Sequence, residues 1–206
     1  MKISKRMVLS CVFAVLALPL MGALSNASAA NLLVNADFET GDLTGWEVFG
    51  ETGSSSVMIA ADNGPAMPGV ACAFSDNQAE ALALLIKQST EAGSASAGVV
   101  DYSFDLMLGQ AAEGGVFFVE IFAEMTGGGV IGGSGVLGNY TPGEWTTFTG
   151  SFEAPANTDF LTIQLAAITG AASGSMSSMY IDNVSLDQGT VQAEAVTLSQ
   201  IKALYR

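Results

Sequence analysis

Between residues 116 and 125 the chain alternates strictly. Phe117, Val119, Ile121 and Ala123 fall on one side of an extended backbone, and Phe118, Glu120, Phe122 and Glu124 fall on the other. A period of two belongs to a strand with one buried face. The same code recurs where Val100, Tyr102, Phe104 and Leu106 alternate with Asp101, Ser103, Asp105 and Met107. It recurs again where Leu161, Ile163 and Leu165 alternate with Thr162, Gln164 and Ala166. In each case the first set is expected to face a core. Gly, Asn, Asp and Ser clusters separate these runs, and strands are expected over 32–38, 46–49, 55–59, 70–74, 82–88, 99–107, 116–125, 130–137, 145–153, 160–168 and 179–186. Only the patch at 80–87 is ambiguous between helix and strand. The expected fold is all-β: an antiparallel β-sandwich of the jelly-roll kind. The glycine-rich stretch 127–135 has neither the Lys-Ser/Thr pair nor the helical pattern that a phosphate loop needs, so it reads as a hairpin with a glycine-permitted turn and bulge.

Residues 1–30 carry Lys2, Lys5 and Arg6, then an apolar run over 8–24, then Ala27, Ser28, Ala29 and Ala30. This is the three-part pattern of a secretory signal peptide, removed near Ala30. Pro19 and Gly22 interrupt the apolar run, which is short for a span, so no membrane insertion is expected after cleavage. The expected location is secreted: extracellular or at the cell surface. One domain over 31–187 follows, then a linker and short tail over 188–206. Beyond position 30 the only basic residues are Lys87, Lys202 and Arg206, against all 20 acidic ones. Nucleic acid and anionic membrane surfaces are therefore not expected as partners. Cys72 is the only cysteine beyond the leader, so no internal disulfide can form.

Two short motifs bracket the domain. The first contains Asn31, Asn35, Asp37, Phe38 and Glu39, followed by Gly45 and Trp46; the second runs from Met179 through Tyr180, Ile181, Asp182, Asn183 and Val184 to Leu186. Together they resemble the first and last strands of the jelly-roll carbohydrate-binding modules of families four and nine, in the galactose-binding-like superfamily. The resemblance implies a structural calcium ion joining Glu39 to Asp182, aided by backbone carbonyls. Strand parity sets Asp182 with Val184 and Leu186, pointing inward, where a bare carboxylate is costly. So few cations are present that a bound divalent ion is its natural partner, and oxygen ligands suit calcium. Asp37 and the sequence Asp62, Asn63, Gly64 are further candidate contributors; the alternative is that Asp182 bonds to backbone amides. Trp46 and Trp145 occupy framework positions of the same pattern, which leaves a thin aromatic surface for sugar.

The remaining candidate ligand face comprises Phe118, Glu120, Phe122 and Glu124, flanked by Asp105 and Gln164, with Asp101 and Ser103 nearby. Rings and carboxylates there could hold a neutral or weakly basic polysaccharide or cell-surface glycan. The alternative is an ordinary outward surface or a contact with another protomer. Catalysis is not expected. No histidine exists in the chain, which removes the commonest general base and every triad that needs one. Glycosidase carboxylates lie roughly 5 to 9.5 Å apart, whereas Glu120 and Glu124 on one strand would sit about 13 Å apart. The leading expectation is a non-catalytic, carbohydrate-binding-module-like protein. A structural or adhesive surface protein built on the same sandwich is the alternative, and a jelly-roll polysaccharide-degrading enzyme is a weaker one.

The end of the chain reads as a short amphipathic helix with Thr197 and Gln200 as a capping box and Leu198, Ile201 and Tyr205 as its apolar stripe. Lys202 and Arg206 suit the negative end of its dipole. It either docks on its own sandwich or serves as a recognition tail for a surface or export partner.

Overall fold

Among the described residues ten strands form two sheets, and the apolar stripes of the sequence meet between them. The computed structural model describes residues 30–189 except 53, 62–63, 66–68, 78–80 and 138–142. The expected leader, the C-terminal helix, and the candidate contributors Asp62 and Asn63 lie outside the described residues. In chain order the strands are β1 (Glu47–Phe49), β2 (Ser55–Ala60), β3 (Ala71–Asn77), β4 (Ala83–Ser89), β5 (Gly98–Ala112), β6 (Val116–Met125), β7 (Gly129–Leu137), β8 (Thr146–Ala154), β9 (Phe160–Ile168) and β10 (Met176–Asp187). One sheet has the order β1-β4-β9-β6-β7 and the other β2-β3-β10-β5-β8, with every pair antiparallel. This is a two-sheet jelly roll.

The core forms where the inner faces meet. Leu84, Ile86, Ile121 and Ile163 from one sheet pack with Phe74, Phe104, Leu106 and Met179 from the other, all at 0–1% exposure. Phe104 stacks on Phe148 at 5.2 Å, extending the contact from β5 to β8. The ambiguous patch resolves as β4. Leu84, Ile86 and Gln88 turn inward and the strand pairs on both sides, so sheet burial overrides any helical preference. The β6–β7 hairpin has positive φ at Gly127 and Gly129, and its register shifts twice, as the glycine-rich sequence suggests.

Residues 32–38 are not a strand, contrary to the sequence expectation. Asn35 (φ 48°) and Phe38 (φ 54°) adopt left-handed backbone, which breaks the extended path. The segment lies across one end of the sandwich and ties the two sheets. Leu32 N–H donates to Leu186 O and Val184 N–H to Ala36 O, both at 2.9 Å. Asn31 donates to Val184 O and accepts from Leu186 N–H. On the opposite sheet, the buried Gln88 amide closes both bonds with Val34: N–H to Oε1 at 2.6 Å and Nε2 to O at 2.8 Å.

Candidate functional site

The face expected from the sequence exists on the outside of the β1-β4-β9-β6-β7 sheet. Phe118, Glu120, Phe122 and Glu124 are half-buried there, while Phe117, Val119, Ile121 and Ala123 are buried against the core. Strand register arranges the outer side chains in rows across the sheet. Glu47, Lys87, Gln164, Glu120 and Val136 form one row; Phe49, Leu85, Ala166 and Phe118 form the next. A third row runs Ser89, Thr162, Phe122, Gly133. The polar row thus lies between two rows that each contain a ring. Gln164 Nε2 reaches Glu120 Oε2 at 3.4 Å, and Ser89 and Thr162 share a hydroxyl contact at 2.7 Å. Ala166 is fully buried and Thr162 nearly so.

Asp105 does not belong to this face. It lies on β5 in the other sheet, with Asp101 and Ser103, so the sequence grouping with Phe118 fails for all three. Period-two alternation shows which residues share a side of one strand but not which sheet the strand joins. Thr147 Oγ1 and Asn183 Nδ2 donate to the two oxygens of Asp105, and its ladder partner is Asp182.

Asp182 is 3% exposed, but not through the parity it would share with Val184 and Leu186. In β10 the rungs Asp182–Asp105 and Ser185–Ser103 are separated by three steps on one strand and two on the other. One residue is extra. Asn183, exposed and at φ 50°, is the bulged position, and it reverses the parity, so Ile181 points inward upstream while Val184 does so downstream. Asp182 therefore starts from the outer side of its sheet and is buried by what covers it. A Cβ at Gly64 would come within 2.8 Å of both Asp182 Oδ2 and the Gly69 backbone carbon, so glycine is needed here for the chain to lie close to the carboxylate. Asn183 N–H donates to Oδ1 at 2.8 Å. Burial above all, with the charges of Asp105, Glu39 and Asp37 adding to it and the Asn183 N–H opposing it, holds the Asp182 carboxyl up at about 7.

Four carboxylates therefore share one end of the sandwich, including the expected pair Glu39 and Asp182. Their all-oxygen chemistry and uncompensated charge fit a hard divalent cation. Yet among the described residues no three acidic, histidine or cysteine side chains close tightly enough to hold a metal by themselves, so a bound ion would also need other oxygen ligands, such as backbone carbonyls. Beside this region lies a shallow groove of about 370 Å³ lined by Asn31, Leu33, Asn35, Asp37, Asn183 and Ser185, among others. Local alternation does not reveal it, since two of its lining residues, Asn35 and Asn183, have left-handed backbone.

Trp46 is a framework residue: it is buried, stacks on Phe38 at 5.3 Å and donates from Nε1 to Asn35 O at 3.1 Å. Trp145 is half-buried just before β8.

No family model matches the chain, and no curated protein matches it in sequence. Solved structures do resemble it. The enzymatically active domain of tailspike protein 4 from bacteriophage CBA120 superposes with a TM-score of 0.58 at 13% identity, over 76% of this chain but only 21% of the tailspike. A family 61 carbohydrate-binding module in complex with β-1,4-galactotriose gives 0.51 at 20% identity, over 78% of this chain and 99% of the module. A third structure, from work on promiscuous specificity of β-sandwich carbohydrate-binding modules, gives 0.54 at 13% identity, over 79% of this chain and 64% of that one. At these identities the likeness concerns architecture. The fold is the jelly-roll β-sandwich of carbohydrate-binding modules.

Proposed function

We propose that this is a secreted, non-catalytic carbohydrate-binding protein that holds a polysaccharide or cell-surface glycan on the outer face of the β1-β4-β9-β6-β7 sheet. The observation that carries the reading is the register placing Lys87, Gln164 and Glu120 in one row, with Phe118 and Phe122 on either side of it. Rings supply stacking surface for sugar, and the polar row supplies hydrogen bonds to hydroxyls. Non-catalytic action is supported by the partners of Glu120. Its cross-strand neighbours are Gln164 and Val136, so no second carboxylate stands opposite it. A calcium ion at Glu39 and Asp182, with Asp37 and Asp105 nearby, would stabilise the end of the sandwich without chemistry. A glycan array probed with the cleaved protein in calcium, beside the double variant Phe118→Ala, Phe122→Ala, tests the reading. Binding that the double variant loses supports it, and a silent array overturns it.

The alternative of a structural or adhesive surface protein draws on the opposite sheet. There Asp101, Ser103 and Asp105 on β5 align with Ser151, Thr149 and Thr147 on β8 to form a partly exposed hydroxyl and carboxylate surface. Calcium-dependent self-association with a silent array would favour it.

A further inference from the structure

On the proposed glycan face the one cation among the described residues, Lys87, has Glu47 as its cross-strand neighbour on β1, whereas the carboxylates on β6 have no cation beside them. Lys87 is the only basic residue among those described, and its Nζ lies 5.6 Å from the centre of the Phe49 ring, toward the β1 edge. Glu120 stands two strands away in the same row, roughly 10 Å by strand spacing, too far for Lys87 to neutralise it. Glu124 lies further still along β6. Phe122 sits between these carboxylates, about 7 Å from each along the strand.

Across the sheet, the neighbours of Phe122 are small. Thr162 on β9 is 6% exposed, and on β7 the partner is Gly133. A Cβ on Gly133 would fall 2.3 Å from Ile121 O, so no larger residue fits there. The ring therefore has no tall neighbour across the strands and a carboxylate on each side along its own strand. A ring flanked in this way is suited to a sugar that carries an amine. The C–H face of the sugar packs on the ring, while the ammonium pairs with a carboxylate and is drawn to the π-cloud.

Resting on the reading of this face as a glycan platform, we propose that Phe122, Glu120 and Glu124 form a subsite for an amine-bearing sugar residue of the glucosamine type. Uronate and sulfated glycans are repelled by the same carboxylates.

Isothermal titration of the full chain compares glucosamine oligomers, their N-acetylated counterparts and cello-oligomers of equal length, at mildly acidic pH where the amine is charged. The glucosamine oligomer is expected to bind about tenfold more tightly than the other two, the combined size of an exposed ion pair and a cation–π contact. Glu120→Gln with Glu124→Gln abolishes that preference. Glu153→Gln with Asp101→Asn, on the opposite sheet, leaves it intact. Equal loss in both double variants identifies diffuse attraction to an acidic protein and overturns the subsite. Equal affinity for all three oligomers also overturns it, while leaving the glycan face standing. If none of the three binds, the amine subsite falls, and a silent glycan array brings down the face with it.

Discussion

Asn183 serves Asp182 and Asp105 with different groups: its backbone N–H donates to Asp182 Oδ1 and its side-chain amide to Asp105 Oδ2, each at 2.8 Å. The two carboxylates share one rung of the β10–β5 ladder, so a single bulged residue satisfies part of both. The charge that remains on the buried Asp182 is costly.

That cost has a pH signature. Asp182 is raised from 3.8 to about 7 in the folded chain by burial and by the neighbouring Asp105, Glu39 and Asp37. Between those values the folded state holds a proton that the unfolded state has released, so stability falls as pH rises through the window. Thermal unfolding in chelator should show a falling Tm from about pH 4 to pH 7, and Asp182→Asn should flatten that slope. If calcium occupies the site, adding it at neutral pH restores Tm in the parent chain but not in the variant.

Gln88→Leu keeps the volume but abandons Val34. Two hydrogen bonds between the β4 strand and the 31–38 segment are lost, at an expected cost of about 2 kcal/mol. Urea denaturation measures it, with hydrogen exchange at Val34 as the local reporter.

Phe38→Ala empties a fully buried site beneath Trp46. The expected loss is about 3–5 kcal/mol. Tryptophan emission should shift to the red as water reaches the indole, and an unshifted spectrum would mean the neighbouring side chains have refilled the space.

Asn183→Gly should leave the bulge intact, since glycine accepts positive φ, whereas Asn183→Val forces a β-branched residue into left-handed backbone at a cost of about 1–3 kcal/mol. Comparing their denaturation midpoints separates backbone strain from the loss of the Asp105 hydrogen bond, which both variants share.

Much of the fold was legible because burial on one face enforces a strict period. The limits of β6 and β9 coincide with the expected strands, and the inward sets on β5, β6 and β9 are as the alternation indicates. Parity failed where one residue intervenes. The bulge at Asn183 cannot be seen in apolar spacing, though an Asp-Asn pair tolerant of left-handed backbone was its trace in the sequence. Asp105 was misplaced for a different reason. Sheet membership depends on long-range pairing among ten strands, which no local pattern encodes. The 32–38 segment looked extended, but its bonds run to side chains and isolated backbone groups of both sheets instead of to one regular ladder.

Because Asn31 bonds directly to Leu186, the chain enters and leaves the sandwich at neighbouring points. Tension applied between those points would part the contacts in succession, as a zipper opens, without loading them all at once. The same adjacency means the domain can be set into a surface loop of another protein, or circularly permuted, with little stretching of the host.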